Sequence, residues 1–268
     1  TLASYLKSDV DLNIPVSKVK QEKTFAVIIA NENYQEEVNV EFALNDGMAF
    51  REYCIKLLGI PESNLHIRKD ATLNNMLAEI NWMQNIAKAY GAEARFIFYY
   101  AGHGMPDESN GTSYLLPVDG KSNILATGYS MSRLYAELNG LNAACVTVLM
   151  DACFSGSKRG EGMLASARGV ALKAKAEAPK GNMLVMTAAQ GSETAYPYKE
   201  KKHGLFTYFL LKKLQESKGK VTYGDLFDYV KTNVAQKSVV VNEKSQTPTI
   251  AVSGDLVSTW QSIRLNED

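Results

Sequence analysis

Short apolar runs alternate along the chain with longer segments in which apolar residues recur every three or four positions. The runs are rich in β-branched and aromatic residues, which is typical of buried strands, while the longer segments have the spacing of amphipathic helices. The pattern predicts strands at residues 24–30, 65–68, 95–100, 146–150, 182–187 and 247–252, and helices at 42–58, 72–89, 208–214 and 223–234. Ser130 is typical of a helix N-cap and predicts one more helix. This alternation predicts an α/β fold with a mainly parallel sheet covered by helices on both faces.

The first part of the chain follows neither pattern. Residues 10–14 alternate between polar and apolar and end at Pro15, which cannot donate a hydrogen bond to a strand ladder. We therefore expect an edge strand here, within an N-terminal arm at residues 1–22. The alternative is a propeptide that covers the active-site cleft.

Two later stretches are predicted to lie at the surface. Residues 114–120 contain Pro117, which confines them to a hairpin arm at a sheet edge. Residues 199–203 are strongly charged, which is typical of a solvated turn.

The composition changes at residues 158–181, where small residues and glycines replace the apolar runs. Basic residues are spread through this segment: Lys158, Arg159, Arg168, Lys173, Lys175 and Lys180. Such a composition is typical of a linker. We therefore expect one domain at residues 23–268, with a larger half at 23–157 and a smaller half at 182–268.

The overall composition narrows the classes of function. Hydrophobic residues make up 46% of the 268 positions, which is enough to fill a core. The 29 basic and 29 acidic residues cancel, so no global field favours nucleic acid or an anionic membrane. No apolar run approaches the roughly 20 residues of a membrane span, and no signal peptide is visible. The sequence begins at Thr1 rather than Met. We expect a secreted or periplasmic protein if a leader was removed before Thr1, and a cytoplasmic protein otherwise.

Two reactive side chains stand where predicted strands end. Cys153 follows the apolar run at 146–150, and His103 follows the run at 95–100. Parallel strands deliver their carboxyl ends to one sheet edge, where the clefts of open α/β sheets lie. A free thiol with a pKa near ~8.5 is only a few per cent thiolate at neutral pH, and a neighbouring imidazole can accept its proton. We therefore predict that Cys153 is a nucleophile and His103 its base.

The surrounding residues complete this hypothesis. The glycines beside His103 let backbone approach a substrate, and the amides of Gly104 and Cys153 are candidates for an oxyanion hole. The other cysteines, Cys54 and Cys145, show no spacing typical of a disulfide scaffold or of a zinc site. The alternative is that Cys153 is a small buried hydrophobe and His103 a turn residue, but their shared position at strand ends favours the dyad.

These segments resemble the motifs of a known family. Residues 99–104 (YYAGHG) and 151–156 (DACFSG) are similar to the histidine and cysteine motifs of caspase-like cysteine peptidases, on the metacaspase side. Residues 187–189 and 203–208 also resemble bacterial members, so the resemblance covers roughly residues 23–252. It implies a three-layer caspase-like fold and a cysteine endopeptidase that acts on peptides or proteins. The chemistry of the dyad requires no cofactor, and we expect a monomer. Metacaspase-type relatives are often calcium-dependent, but the sequence shows no cluster typical of a calcium site.

The resemblance also implies a specificity. Asp151 stands where animal caspases carry Gln, which argues against cleavage after aspartate, and Asp46 matches the Asn-Asp position that metacaspases use in their S1 pocket. Ala43 and Ala101 occupy places where those relatives have Cys and Ser. We expect Asp46 and Asp151 to form an acidic S1 pocket that selects Arg or Lys. The alternatives are structural: Asp46 as a helix cap or first-turn acid, and Asp151 as an acceptor of backbone hydrogen bonds.

An acidic pocket would accept residues of the linker itself. Because the linker leaves the cysteine strand, it is tethered beside the cleft, and tethering raises its effective concentration. We predict self-cleavage after Arg168, Lys173 or Lys175, since Lys158 and Arg159 are too close to Cys153 to fold back. The alternative is that the basic residues only keep the linker soluble.

Two other functions stay open at this point. One is a caspase-like module that binds without catalysis, and the other is a peptide ligase that uses the same dyad. The presence of both dyad residues favours an enzyme over the binding module.

Overall fold

Apolar strands and amphipathic helices form at nearly all of the predicted positions. The computed structural model describes residues 7–107, 109, 111–154, 179–191 and 193–266. The strands are β1 (Thr24–Ala30), β2 (Leu65–Lys69), β3 (Arg95–Pro106), β4 (Ser113–Leu115), β5 (Tyr129–Ser130), β6 (Cys145–Cys153), β7 (Met183–Thr187), β8 (Pro197–Tyr198), β9 (His203–Gly204) and β10 (Thr249–Val252). The helices are α1 (Ala43–Lys56), α2 (Leu73–Tyr90), α3 (Met131–Asn139), α4 (Leu205–Ser217) and α5 (Tyr223–Asn242).

The main sheet has the strand order β10-β7-β6-β3-β1-β2. All neighbours on this path are parallel except β10, which runs antiparallel to β7 at one edge. β4 pairs antiparallel with the end of β3, and β5 pairs with β4, so these two short strands extend the sheet beside the carboxyl end of β3. β8 and β9 form a separate hairpin.

Side chains alternate along each strand and fill two separate cores. In β1, Ala26 and Ile28 join the core that contains α1, α4 and α5, whereas Val27 and Ile29 join the core that contains α2 and α3. The sheet is therefore covered by helices on both faces. This confirms the predicted α/β class, with three layers and a mainly parallel central sheet.

The central pair of strands positions the candidate functional residues. β3 and β6 run side by side in register from Arg95 opposite Cys145 to His103 opposite Cys153. Both strands are buried along nearly their whole length, so a one-residue slip in this register would move the side chains of one strand into the opposite core, where the packing does not match them. Core packing therefore fixes which residues of the two strands meet at the carboxyl edge.

The prediction of an edge strand at residues 10–14 is wrong. Residues Asp9–Asp11 form a turn of 3-10 helix, in which the Asp11 carboxylate accepts a hydrogen bond from the Ser8 amide at 2.9 Å. Val10 is fully buried, and its carbonyl accepts a hydrogen bond from Tyr53 of α1 at 2.7 Å. The alternation of residues 10–14 thus reflects one buried apolar side chain in an arm that packs against helices.

The prediction for residues 199–203 is also only partly right. Lys199–Lys201 form a turn of 3-10 helix between β8 and β9, as expected of a charged turn. His203, however, is completely buried at the start of β9. The hairpin at residues 114–120 is confirmed only for its first residues, since β4 ends at Leu115, before Pro117.

The linker predicted at residues 158–181 lies outside the described residues except for 179–181, and Arg168, Lys173 and Lys175 lie outside them altogether.

Of the helices in the described part of the chain, none combines the length and the apolar character needed to cross a membrane.

Candidate active site

His103 and Cys153 are direct neighbours in the sheet. They are register partners at the carboxyl ends of the adjacent parallel strands β3 and β6, which lie about 4.8 Å apart by strand spacing. Partners in a parallel pair point to the same face, so both side chains leave the sheet on one side. His103 is 2% exposed and Cys153 is 5% exposed. The structure therefore brings together the two residues that the sequence pattern singled out.

The imidazole of His103 is held by a backbone carbonyl. Nε2 lies 2.8 Å from the carbonyl oxygen of Val38, in the segment between β1 and α1. A carbonyl oxygen only accepts hydrogen bonds, so Nε2 carries the proton in the neutral ring. Nδ1 is then the nitrogen that can accept a proton, which is the state that a general base requires.

The backbone of His103 is fixed as firmly as its ring. The amide of His103 donates a hydrogen bond to the hydroxyl of Tyr34 at 2.7 Å. Its carbonyl accepts hydrogen bonds from the Tyr100 hydroxyl at 2.7 Å and from the Leu116 amide at 3.0 Å. Both backbone polar groups of His103, the amide and the carbonyl, are therefore hydrogen-bonded.

The two glycines beside His103 allow the chain to pack this closely around the histidine. A Cβ atom at Gly102 would lie 2.7 Å from the hydroxyl of Tyr100, and one at Gly104 would lie 2.7 Å from the carbonyl oxygen of Cys153. Both distances are shorter than real Cβ contacts, so a side chain at either position would displace its neighbours. The structure thus gives these glycines a packing role within the protein, in addition to the predicted approach of substrate.

Cys153 is covered by the segment that precedes β8. Its Sγ donates a hydrogen bond to the carbonyl oxygen of Glu193 at 3.6 Å. The Glu193 carboxylate in turn accepts a hydrogen bond from the Thr247 hydroxyl at 3.1 Å, which anchors the segment near β10. The other two cysteines, Cys54 and Cys145, are also buried as free thiols. Burial raises the pKa of the Cys54 thiol, so Cys54 is unsuited to act as a nucleophile.

The predicted S1 carboxylates both bind the first turn of α4. Asp46, from the first turn of α1, accepts hydrogen bonds from the Gly204 amide at 3.1 and 3.0 Å. Asp151 accepts hydrogen bonds from the amide of Thr207 at 3.2 Å and from its hydroxyl at 2.7 Å. Both carboxylates are buried. Asp46 is a first-turn acid of α1 and Asp151 accepts a backbone hydrogen bond, as the alternatives to an S1 pocket expect. Both negative charges also lie at the positive end of the α4 dipole. An acidic S1 pocket that contains them stays a prediction.

His203 was missed as a site residue, and it links Asp46 to the N-terminal arm. Its Nδ1 lies 2.7 Å from Oδ1 of Asp46, and its Nε2 lies 3.1 Å from Oδ1 of Asp11. Carboxylates only accept hydrogen bonds, so a ring that bonds to both must be protonated at both nitrogens. Burial opposes this charge, but the hydrogen bonds to Asp11 and Asp46 outweigh it and raise the pKa of His203 from 6.5 to about 9.

The chain offers no evident metal site in the part that the structure describes. Among those residues, no group of three or more His, Cys, Asp or Glu side chains could hold a metal ion. Calcium activation therefore stays an expectation that comes from the family resemblance.

Comparisons with known proteins agree with this fold. Residues 23–255 match the family model of the caspase domain. A solved structure of a protein from Geobacter sulfurreducens is 18% identical, with a TM-score of 0.67, and the match covers 91% of this chain and 98% of that one. Caspase-1 from Spodoptera frugiperda is 14% identical, with a TM-score of 0.61, and the match covers 91% and 92% of the two chains. No curated protein matches the chain. At these identities the two structures establish the fold.

The bridge through His203 predicts a pH-dependent stability. A histidine whose pKa is raised by folding stabilises the protein fully below its unfolded pKa, and this stabilisation disappears as the pH rises through the folded value. We expect His203→Gln to lower the free energy of unfolding by on the order of 2 kcal/mol near pH 6.5, with the difference from wild type shrinking as the pH rises through about 9. Urea unfolding of both proteins across this pH range measures the difference.

Asp11→Asn serves as the matched variant, because it removes one of the two carboxylates and leaves the imidazole in place. It should show a smaller effect with the same pH trend. A difference between wild type and His203→Gln that stays constant from pH 6.5 to above 9 would contradict the charged bridge.

Proposed function

The chain belongs to the caspase domain family, and from this premise we propose that it is a cysteine-type endopeptidase with His103 and Cys153 as its catalytic dyad. The observation that carries the proposal is the register of β3 and β6, which makes these two residues direct neighbours at the carboxyl edge of the sheet. The Val38 carbonyl supports it further, because it leaves Nδ1 of His103 able to accept the thiol proton.

The reaction follows from these groups. Nδ1 of His103 takes the proton of the Cys153 thiol, and the thiolate attacks the carbonyl carbon of the scissile peptide bond. The amides of Gly104 and Cys153 donate hydrogen bonds to the resulting oxyanion. The His103 imidazolium then gives its proton to the leaving amine as the C–N bond breaks, which leaves a thioester on Cys153. Water, deprotonated by His103, attacks the thioester, and release of the carboxylic acid restores the thiol.

Replacement of either dyad residue should abolish turnover and preserve the fold. Cys153→Ala removes only a sulfur atom, and residues that act as a catalytic unit lose several orders of magnitude in kcat when one of them is removed. We expect the same loss for His103→Ala. Hydrolysis of a fluorogenic peptide library, measured with and without added calcium, gives the rates.

The matched controls are Cys54→Ala and Cys145→Ala. Both remove a buried thiol outside the site and should stay active. Peptide hydrolysis at the wild-type rate by Cys153→Ala would refute the proposed mechanism.

We propose further that Asp46 and Asp151 form the S1 pocket and that cleavage follows Arg or Lys. Asp151 lies two residues before Cys153 on β6, so the two side chains leave the strand on the same face. Asp46 bonds to the same turn of α4 as Asp151, so two carboxylates lie at the N-terminus of this helix, which supports the proposal. A basic P1 side chain would share these carboxylates with the backbone of α4. A charge pair near ~4 Å contributes about 4 kcal/mol at intermediate dielectric before desolvation, so a part of it is enough for tenfold selectivity.

The P1 preference can be measured with peptides that differ only at P1, as Arg, Lys, Gln or Asp. We expect wild type to prefer Arg and Lys over Gln, and Asp151→Asn to lower this preference by about tenfold while the Thr207 bonds are retained by the amide oxygen. Asp228→Asn, on the exposed side of α5, is the control. Equal cleavage after Arg and Asp, or an unchanged preference in Asp151→Asn, would remove these residues from the S1 pocket.

We also propose that the enzyme cleaves its own linker after Arg168, Lys173 or Lys175. The described structure supports this only through its ends, because β6 stops at Cys153 and β7 begins at Met183, so the linker starts at the active-site edge. A tether of this length keeps its basic residues at high effective concentration near the nucleophile.

Self-cleavage should appear as two fragments on denaturing gels of wild type after incubation at high concentration, and should be absent from Cys153→Ala. N-terminal sequencing identifies the site, and a variant with Arg168, Lys173 and Lys175 replaced by Gln should stay intact. A wild-type chain that stays full length while it hydrolyses peptides would exclude self-processing.

A further inference from the structure

One side chain outside the dyad contacts both the backbone and the ring of His103. The hydroxyl of Tyr34 accepts the His103 amide hydrogen bond at 2.7 Å. The Tyr34 ring lies against the imidazole, with ring centroids 4.7 Å apart and an interplanar angle of 50°. Four residues later, the Val38 carbonyl bonds to Nε2. The segment between β1 and α1 therefore holds the histidine at three points, and two of them belong to Tyr34.

Tyr34 is itself firmly held. Its hydroxyl donates a hydrogen bond to the Leu116 carbonyl at 3.2 Å, and its amide donates to the Asn39 side chain at 3.3 Å. The next amide, that of Gln35, bonds to the Val118 carbonyl at 3.0 Å. Burial raises the pKa of the Tyr34 hydroxyl, so this group keeps its proton and can donate and accept at the same time.

The glycine that precedes His103 is part of the same arrangement. A Cβ atom at Gly102 would lie 2.8 Å from the Tyr34 hydroxyl, closer than real Cβ contacts come. Gly102 thus leaves the space that the hydroxyl needs to reach the His103 amide. A side chain at position 102 would therefore displace the Tyr34 hydroxyl.

We propose that Tyr34 is a positioning residue for His103: its hydroxyl fixes the backbone of the histidine, and its ring fixes the orientation of the imidazole through the proton transfers. The proposal rests on the proposed catalytic function of the dyad. In the reaction His103 becomes a cation when it takes the thiol proton, and a cation within about 6 Å of an aromatic face is attracted to it. The tilted ring of Tyr34 satisfies that distance. A residue that acts in this way affects the chemical step and leaves substrate binding unchanged.

Two variants separate the hydroxyl from the ring. Tyr34→Phe keeps the ring and loses the hydroxyl, whereas Tyr34→Leu loses both. Since misplacement of a catalytic group by about 1 Å can cost a hundredfold in rate, we expect kcat to fall about tenfold in Tyr34→Phe and about a hundredfold in Tyr34→Leu, with KM nearly unchanged. Partial rescue by the conservative variant is the sign that the ring itself matters.

A second measurement is independent of the peptide substrate. The rate at which iodoacetamide alkylates Cys153, followed by mass spectrometry of the Cys153 peptide, reports how well His103 deprotonates the thiol. We expect this rate to fall in the same order as kcat. If wild type cleaves no peptide at all, the proposed function fails, while the alkylation rates still test the role of Tyr34.

The control is Tyr53→Phe, which removes a buried tyrosine hydroxyl that bonds to the Val10 carbonyl in the N-terminal arm. It should lose stability comparable to Tyr34→Phe in urea unfolding, yet keep wild-type kcat and alkylation. Wild-type alkylation in folded Tyr34→Leu, a rise in KM alone, or equal losses in the Phe and Leu variants at position 34 would overturn the proposal. If Tyr34→Leu fails to fold, Tyr34→Phe with wild-type alkylation would overturn it as well.

Discussion

The register of the two central strands is the constraint on which the site depends. β3 and β6 pair over nine positions, and the last pair is His103 with Cys153. A shift of one residue would turn every side chain of one strand to the opposite face, into a core that is packed around different side chains. The packing of the two cores therefore holds His103 and Cys153 side by side. The thiol and the imidazole are neighbours because the apolar residues that precede them fix the register of the two strands.

This dependence explains why the proximity of His103 and Cys153 could be predicted from the sequence. The strands that carry His103 and Cys153 are continuous apolar runs. Asp151 follows directly after one run, and His103 lies three residues after the other. Strand and helix positions follow from the same periodicity. Helix ends were less well predicted, since α4 and α5 extend beyond the predicted 208–214 and 223–234. Tertiary contacts stabilise those extra turns, and local patterns do not record them.

Other parts of the site could not be predicted because their partners are distant in sequence or come from the backbone. Val38 contributes a carbonyl oxygen, which any residue could supply. His203 lies in a charged stretch, and its burial depends on Asp11, 192 positions earlier. Residues 203–208 resemble the family, so the sequence marked His203 as part of a motif. The resemblance did not assign His203 a role. Buried ionic contacts of this kind appear only when the chain is folded.

The N-terminal arm changes where this domain should be considered to begin. The family match starts at residue 23, yet Asp9 bonds to Lys212 of α4 and Asp11 bonds to His203. At the other end, Gln21 donates a hydrogen bond to the Leu265 carbonyl, beyond the last matched residue. A fragment trimmed to the family boundaries would remove Asp11 and leave His203 with one of its two carboxylate partners, Asp46. The cooperative folding unit is thus longer than the segment by which relatives are recognised.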